Sequence, residues 1–146
     1  VAAALGLSQR VLSFEGEAAM RLEAVARPAI EATGPYPVAG LDLATLWRSI
    51  LADLAAGAAT GVIAARFHQT LAAMLADATP AVDRVVLSGG VLQNRVLARL
   101  LRARFAARGI PTLEPRLFPA NDGGLALGQA AIAAVSATRT PAPDEG

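Results

Sequence analysis

The sequence predicts an α/β fold in which helices flank a sheet that is at least partly parallel. In the second half of the chain, short apolar runs alternate with longer amphipathic segments, in the order helix, strand, helix, strand, helix. Hydrophobic residues make up 54% of the 146 residues and charged residues 17%, which is typical of a globular chain. A chain of this length can bury one sizeable core, so we expect a single domain.

Three helices are predicted in the first half, where apolar residues recur at helical spacing. They cover residues 16–27, 43–56 and about 60–78. Between the first two, the stretch GPYP predicts a loop over Thr33 to Gly40.

The second half contributes the sheet and two further helices. Arg84 to Ser88 is a β-branched run that predicts a buried strand, and Ile110 to Leu113 predicts a second short strand. Helices are predicted at 92–108 and at about 122–136. We assign the domain to residues 1–137. The polar, proline-containing stretch 138–146 lacks apolar periodicity and is predicted to be a disordered tail.

Composition narrows the classes of function. The net charge of +1 gives no electrostatic reason to expect a nucleic-acid partner or an acidic membrane surface. The chain has no cysteine, which excludes disulfides, thiolate metal sites and a cysteine nucleophile. Its apolar stretches are too short to span a bilayer. We therefore expect a cytoplasmic protein that binds neither membrane nor nucleic acid. Because the chain begins at Val1 rather than methionine, we also expect it to be a piece of a longer protein.

The stretch VVLSGGVLQN, residues 85–94, combines the end of a strand, two glycines and the start of a helix, with Asn94 in the first helical turn. Unpaired N–H groups and the helix dipole at such a turn favour an anion, and Gly89 and Gly90 would let a ligand approach the main chain closely. A plain strand-to-helix turn would use the same glycines. The spacing is neither a Walker loop nor a dinucleotide fingerprint, so both interpretations stay open.

Acidic residues in two other motifs have a structural and a functional interpretation. In PANDGG, residues 119–124, an Asn or Asp before an apolar helix is a good N-cap, whereas Asp122 at the mouth of a glycine-lined cleft would suit a hard cation. In SFEGEAAM, Glu15 and Glu17 either complement a helix dipole or reach a ribose hydroxyl. The single histidine, His68, is interpreted as a hydrogen-bonded structural residue. We assign no catalytic residue.

Four segments, in order, resemble the C-terminal part of the HypF-type carbamoyltransferases. They read SFEGEAAMRLEAVA, RFHQTLAAMLA, VVLSGGVLQNRVLARLLRARFAARGI and FPANDGGLALGQAAIA. The last domain of these hydrogenase maturation proteins is similar to the proteins that form threonylcarbamoyladenosine on tRNA. The resemblance implies the second lobe of an actin/Hsp70/sugar-kinase-like (RNase H-like) nucleotide-binding fold, with a mixed sheet flanked by helices.

The resemblance also implies roles for the motif residues. Those expected at the nucleotide are Gly89, Gly90, Asn94, Gly16 and one of Glu15 or Glu17. Asp122 would be a ligand of a divalent metal, either Mg or Fe. The family's metal site also uses a pair of histidines and an aspartate from the first lobe. This chain has only His68, so we expect the metal site to be incomplete here.

The activity implied is carbamoyl transfer. ATP and carbamoyl phosphate would give carbamoyl-adenylate, whose carbamoyl group passes to the C-terminal cysteine of a HypE-like acceptor protein and becomes the cyanide ligand of nickel–iron hydrogenase. We expect the fragment alone to be inactive, and zinc only in other domains of the full-length protein. Two alternatives stay open: a small-molecule O-carbamoyltransferase of antibiotic biosynthesis, and a non-catalytic interaction module that kept the fold.

Overall fold

Helix α3, Thr60–Ala78, is the centre of the fold in this computed structural model, which describes residues 1–8, 11–119 and 121–138. Three helices pack around it: α1 (Glu17–Ala26), α2 (Leu43–Ala55) and α4 (Arg95–Ala107). The sequence placed the ends of α1, α2 and α3 within one residue of those observed. Apolar periodicity was sufficient there because each of these helices buries one face.

Helices α1 and α3 approach each other closely at Gly61. A Cβ atom at this position would lie 2.8 Å from the carbonyl oxygen of Val25, so the contact requires a residue without a side chain. Around this contact lies a cluster of buried apolar side chains contributed by α1, α3, α4 and a 3₁₀ turn after α1. Its members are Leu22, Ala26, Ile30, Ala64, Ala65 and Val96.

The sheet consists of two short parallel strands, β1 (Val85–Val86) and β2 (Thr112–Leu113). This confirms the partly parallel sheet, whereas the described ranges contain no antiparallel strand that would make it mixed. The prediction of a buried strand over Arg84 to Ser88 is wrong, because β1 covers only Val85–Val86 and neither residue is buried. Leu87, next to β1, packs into the core, but Val86 is 64% exposed because the described helices cover only one face of the strand pair.

Helix α4 begins three residues later than predicted. A 3₁₀ turn, Gly90–Gln93, follows β1, and Asn94 then caps α4 from outside instead of lying in its first turn. The physical reason is that Asn94 Oδ1 accepts a hydrogen bond from the Leu97 amide at 2.9 Å and so replaces a main-chain carbonyl as its partner. At the other end, Gly109 takes a left-handed conformation, as expected for a residue that ends a helix.

The C-terminal segment, residues 114–138, is built differently. A 3₁₀ turn at Asp122–Gly124 leads into α5 (Leu125–Thr138), whose large apolar side chains are 44% to 69% exposed. The predicted tail therefore begins with the last residue of α5, and residues 139–146 lie outside the described part of the chain. None of the helices described has the length and hydropathy needed to cross a membrane.

Candidate functional site

The glycine turn, defined here as residues 88–94, joins β1 to α4, and the backbone requires a glycine at only one of its two glycine positions. Gly89 has φ +103°, a conformation that other residues rarely adopt. Gly90 has no positive φ, and a Cβ atom built on it would meet nothing within 4 Å among the described residues. Neither backbone strain nor packing within the described chain therefore requires a glycine at Gly90.

A first cavity of about 520 Å³ lies between α1, α3 and the glycine turn. Apolar side chains such as Met20 and Phe67 form much of its wall, and Gly90 and Asn94 border it on the side of the turn. Glu23 of α1 and Arg27, the residue directly after α1, also line it. They form an ion pair with 2.7 Å between Arg27 Nη2 and Glu23 Oε1.

His68 lies in the wall of this first cavity, where it is only 2% exposed. Its Nδ1 is 2.8 Å from the carbonyl oxygen of Ala64, and its Nε2 is 2.9 Å from Nδ2 of Asn94. The interpretation of His68 as a hydrogen-bonded residue is confirmed. Burial lowers the pKa of His68 below its ordinary value.

A second cavity, of about 590 Å³, lies on the other side of the glycine turn, against the C-terminal segment. Gly89 and Gly90 border it from the turn, and Asp122 and Gly128 border it from the opposite side. The structure therefore brings the two predicted motifs to one space. Gly90 lines both cavities.

The capping role in the PANDGG motif falls to Asn121, whose Oδ1 accepts a hydrogen bond from the Gly123 amide at 3.1 Å. Asp122 is exposed, and its carboxylate makes no hydrogen bond or ion pair with the described residues. It is therefore available to a ligand. No three His, Cys, Asp or Glu residues of the described ranges lie close enough to hold a metal ion, so Asp122 would be a single ligand.

The SFEG motif is not brought to either cavity. Gly16 caps α1 with φ +85°, and Glu17 is 7% exposed. The Glu17 carboxylate accepts hydrogen bonds from the Ser13 amide at 2.7 Å and from the Arg21 guanidinium, which occupies both of its oxygens. Glu15 is exposed next to this turn. Glu17 therefore fits the role of an acidic residue at the start of a helix better than that of a ribose contact.

Sequence reasoning missed Glu23 of α1 and Arg27, the residue after α1, whose charged side chains line the first cavity. A signal was present in the sequence. Met20, Glu23 and Arg27 follow one another at spacings of three and four, so they share one face of a helix. That face also carries the ion pair in the structure, in which the Glu23 side chain is 9% exposed and the Arg27 side chain 57%.

Residues 1–129 match a family model described as the second subdomain of a carbamoyltransferase, Kae1-like domain. The chain belongs to this family. The resemblance to HypF-type carbamoyltransferases is thereby confirmed. Carbamoyltransferase HypF of Rhodobacter capsulatus is 44% identical over 145 residues, and that of Rhizobium leguminosarum bv. viciae is 41% identical over 140 residues. These alignments cover 92% and 90% of this chain but 18% of each relative.

Solved structures agree with this carbamoyltransferase subdomain. The crystal structure of full-length HypF in its phosphate- and nucleotide-bound form matches with a TM-score of 0.80 and 32% identity, covering 95% of this chain and 20% of that one. The structure of T. kodakarensis HypF matches with a TM-score of 0.68 and 30% identity, covering 85% and 17%. The chain thus spans about a fifth of the length of these HypF proteins.

Proposed function

We propose that this chain is the half of a carbamoyltransferase active site that holds the phosphates of a nucleotide. The observation that carries the proposal is Gly90, where the described chain gives no reason for glycine and leaves open space in front of the main chain. A phosphate that approaches the exposed main-chain N–H groups of the turn would supply that reason.

The two cavities suggest how an ATP molecule or a carbamoyl-adenylate would lie. The first cavity, with its apolar wall, suits the base, and the second cavity brings Asp122 next to the phosphate side of the turn. One HypF relative was crystallised in a phosphate- and nucleotide-bound form, which supports this class of ligand. Gly89 and Gly90 would hold the phosphates and Asn94 would lie beside them.

We further propose that the chain is the second lobe of a two-lobed, actin-like nucleotide clamp. Asp122 would then be one ligand of a divalent ion, Mg or Fe, and the other ligands would come from a first lobe. The donor set supports only this limited role, because Asp122 stands without other ligands among the described residues. When bound, such an ion would neutralise phosphate charge.

In the longer protein, carbamoyl-adenylate formed from ATP and carbamoyl phosphate would be the donor, and a HypE-like protein in the cytoplasm the acceptor. The thiolate of its C-terminal cysteine would attack the carbamoyl carbon, the C–O bond to the adenylate phosphate would break, and AMP would leave. The contribution of this chain would be to orient the nucleotide and to place N–H groups where phosphate charge is held. The names of the relatives support carbamoyl transfer.

A glycine pair provides a test with a matched control. Gly34 also lacks a positive φ and a neighbour within 4 Å, but it lines neither cavity. We expect Gly90→Val to weaken ATP binding by the longer carbamoyltransferase at least about tenfold, which is the loss of about 1.4 kcal/mol. Gly34→Val should bind as the parent does, by isothermal titration calorimetry. Equal ATP affinity of the Gly90→Val variant and the parent would show that the phosphates do not contact the glycine turn.

A second assay addresses the fragment. We expect the isolated chain to transfer no labelled carbamoyl group from carbamoyl-adenylate to a HypE-like acceptor beyond the amount transferred without enzyme. The full-length protein should transfer it. Turnover by the isolated chain would show that the catalytic groups lie within these 146 residues.

A further inference from the structure

We infer that His68 is a positioning residue of the nucleotide site, because it holds Asn94 at the start of α4 and thereby holds the glycine turn. The inference rests on the proposed function for its consequence in nucleotide binding. Its structural part rests on the two hydrogen bonds of the His68 ring, one to the carbonyl oxygen of Ala64 and one to the side-chain amide of Asn94.

The geometry determines the tautomer of the imidazole. The carbonyl oxygen of Ala64 can only accept, so His68 Nδ1, 2.8 Å away, carries the proton and donates it. His68 Nε2 is then an acceptor, and the partner 2.9 Å from it is the side-chain nitrogen of Asn94. The ring is therefore neutral and bonded on both sides.

The same bonds determine the orientation of the Asn94 amide. Its Oδ1 accepts from the Leu97 amide at 2.9 Å, and its Nδ2 donates to His68. In the reversed amide, the Asn94 nitrogen would face the Leu97 N–H and the Asn94 oxygen would face His68 Nε2. Two donors and two acceptors would then meet, so both bonds would be lost. Asn94 directly follows the 3₁₀ turn that contains Gly90, so its position sets the end of that turn.

This directional link matters because the packing around it is largely apolar. Buried apolar side chains such as Ala72 on α3 and Leu97 on α4 join the two helices, and such contacts specify burial more than orientation. The bond from His68 to Asn94 connects α3 directly to the first residue before α4. An apolar residue at His68 would fill the core but would leave the Asn94 amide without its acceptor.

Charged groups near the ring come from three elements. Glu23 of α1, Arg27 of the 3₁₀ turn after α1 and Arg95 of α4 line the same cavity as His68. Burial lowers the pKa of His68, while its bond to Ala64 and the Glu23 carboxylate act in the opposite direction. The neutral ring required by the geometry is thus the form that the surroundings favour near neutral pH.

The substitution Asn94→Asp tests the link itself. A carboxylate would still accept from the Leu97 amide, but it cannot donate to His68 Nε2 and would instead favour a protonated ring. Because His68 is the single histidine of the sequence, its proton resonance can be assigned and titrated without ambiguity. We expect the pKa of His68 to lie below its ordinary value in the parent chain and above it in the variant. The same pKa in both proteins would overturn the inference.

Two substitutions of His68 test the consequence for binding in the longer carbamoyltransferase. His68→Gln can place an oxygen near the position of Nε2 and accept from Asn94, whereas His68→Leu cannot. We expect His68→Leu to weaken ATP binding about tenfold, the effect of losing one well-placed hydrogen bond, and His68→Gln to bind nearly as the parent does. Thermal unfolding identifies any His68 variant that fails to fold. In that case the pKa of His68 in Asn94→Asp decides whether the link between His68 and Asn94 exists.

The outcomes separate this inference from the proposed function. If His68→Leu binds ATP normally while Gly90→Val does not, the nucleotide site stands and the positioning role of His68 is wrong. If Gly90→Val also binds normally, the site itself is misplaced, although the pKa measurement still reports on the link between His68 and Asn94.

Discussion

The body of the molecule, residues 17–113, and the C-terminal segment, residues 114–138, form opposite walls of the second cavity but are stabilised in different ways. In the body, side chains from α1, α3 and α4 pack into shared clusters, and no buried side-chain nitrogen or oxygen of the described residues lacks a partner. In the C-terminal segment, local bonds within the PANDGG motif begin a helix whose apolar side chains remain exposed. One wall of the candidate site is therefore fixed by tertiary packing and the other by local structure.

The strongest test of this contrast truncates one large apolar side chain in each region. Phe105 is 2% exposed within the body, whereas Ile132 on α5 is 69% exposed. We expect Phe105→Ala to lower the free energy of unfolding by about 3–5 kcal/mol, and Ile132→Ala to change it by less than about 0.5 kcal/mol. Urea denaturation of the three proteins measures both. A similar loss in both variants would mean that α5 packs as tightly as the body does.

Alanine at two helical glycines should have effects of opposite sign. A Cβ at Gly61 would lie 2.8 Å from a main-chain oxygen, so we expect Gly61→Ala to destabilise the body by about 1–3 kcal/mol. Gly128 of α5 has no atom within 4 Å of an added Cβ, so Gly128→Ala should stabilise α5 locally by about 0.5–1 kcal/mol. Urea denaturation measures the effect of Gly61→Ala, and hydrogen exchange of the α5 amides measures the effect of Gly128→Ala. Faster exchange in Gly128→Ala would contradict the contrast.

The two asparagine caps sharpen the comparison further. Asn94→Ala removes a cap and leaves the buried Nε2 of His68 without its partner, so we expect a loss of about 2 kcal/mol. Asn121→Ala removes only an exposed bond to Gly123 and should cost less than about 1 kcal/mol, seen as fraying of α5. Equal losses in thermal unfolding would show that the histidine adds nothing to the first cap.

The parts of the molecule that sequence reasoning predicted well are those that depend on near neighbours. Periodicity located α1, α2 and α3. Motif chemistry singled out the glycine turn and Asp122, but it is the fold that brings these two distant places to one cavity. The start of α4 was missed because Asn94 acts as a cap that bonds the Leu97 amide, and the amide nitrogen of its side chain is held by His68, 26 residues away. One of Glu15 or Glu17 was expected near a ribose, but Ser13 and Arg21 occupy the carboxylate of Glu17.

A smaller effect should appear in the pH dependence of the free energy of unfolding of the body. Because burial lowers the pKa of His68 in the folded state, the unfolded chain binds this proton more readily. The contribution to stability is therefore complete above the unfolded-state pKa and decreases as the pH falls through that value towards the lower folded-state pKa. We expect the urea midpoint to fall over this window in the parent and to stay level in His68→Gln. The same fall in both would assign the effect to other groups.

The central claim is that the glycine turn touches the phosphates of a nucleotide. The most direct measurement is a titration of the isotopically labelled chain with ATP and Mg²⁺, following backbone amide resonances by NMR. We predict that the amides of Gly89 and Gly90 shift progressively, while those of Gly34 and Gly109, which border neither cavity, stay in place. Unmoved resonances at Gly89 and Gly90 at millimolar ATP, or equal shifts at all four glycines, would contradict the account.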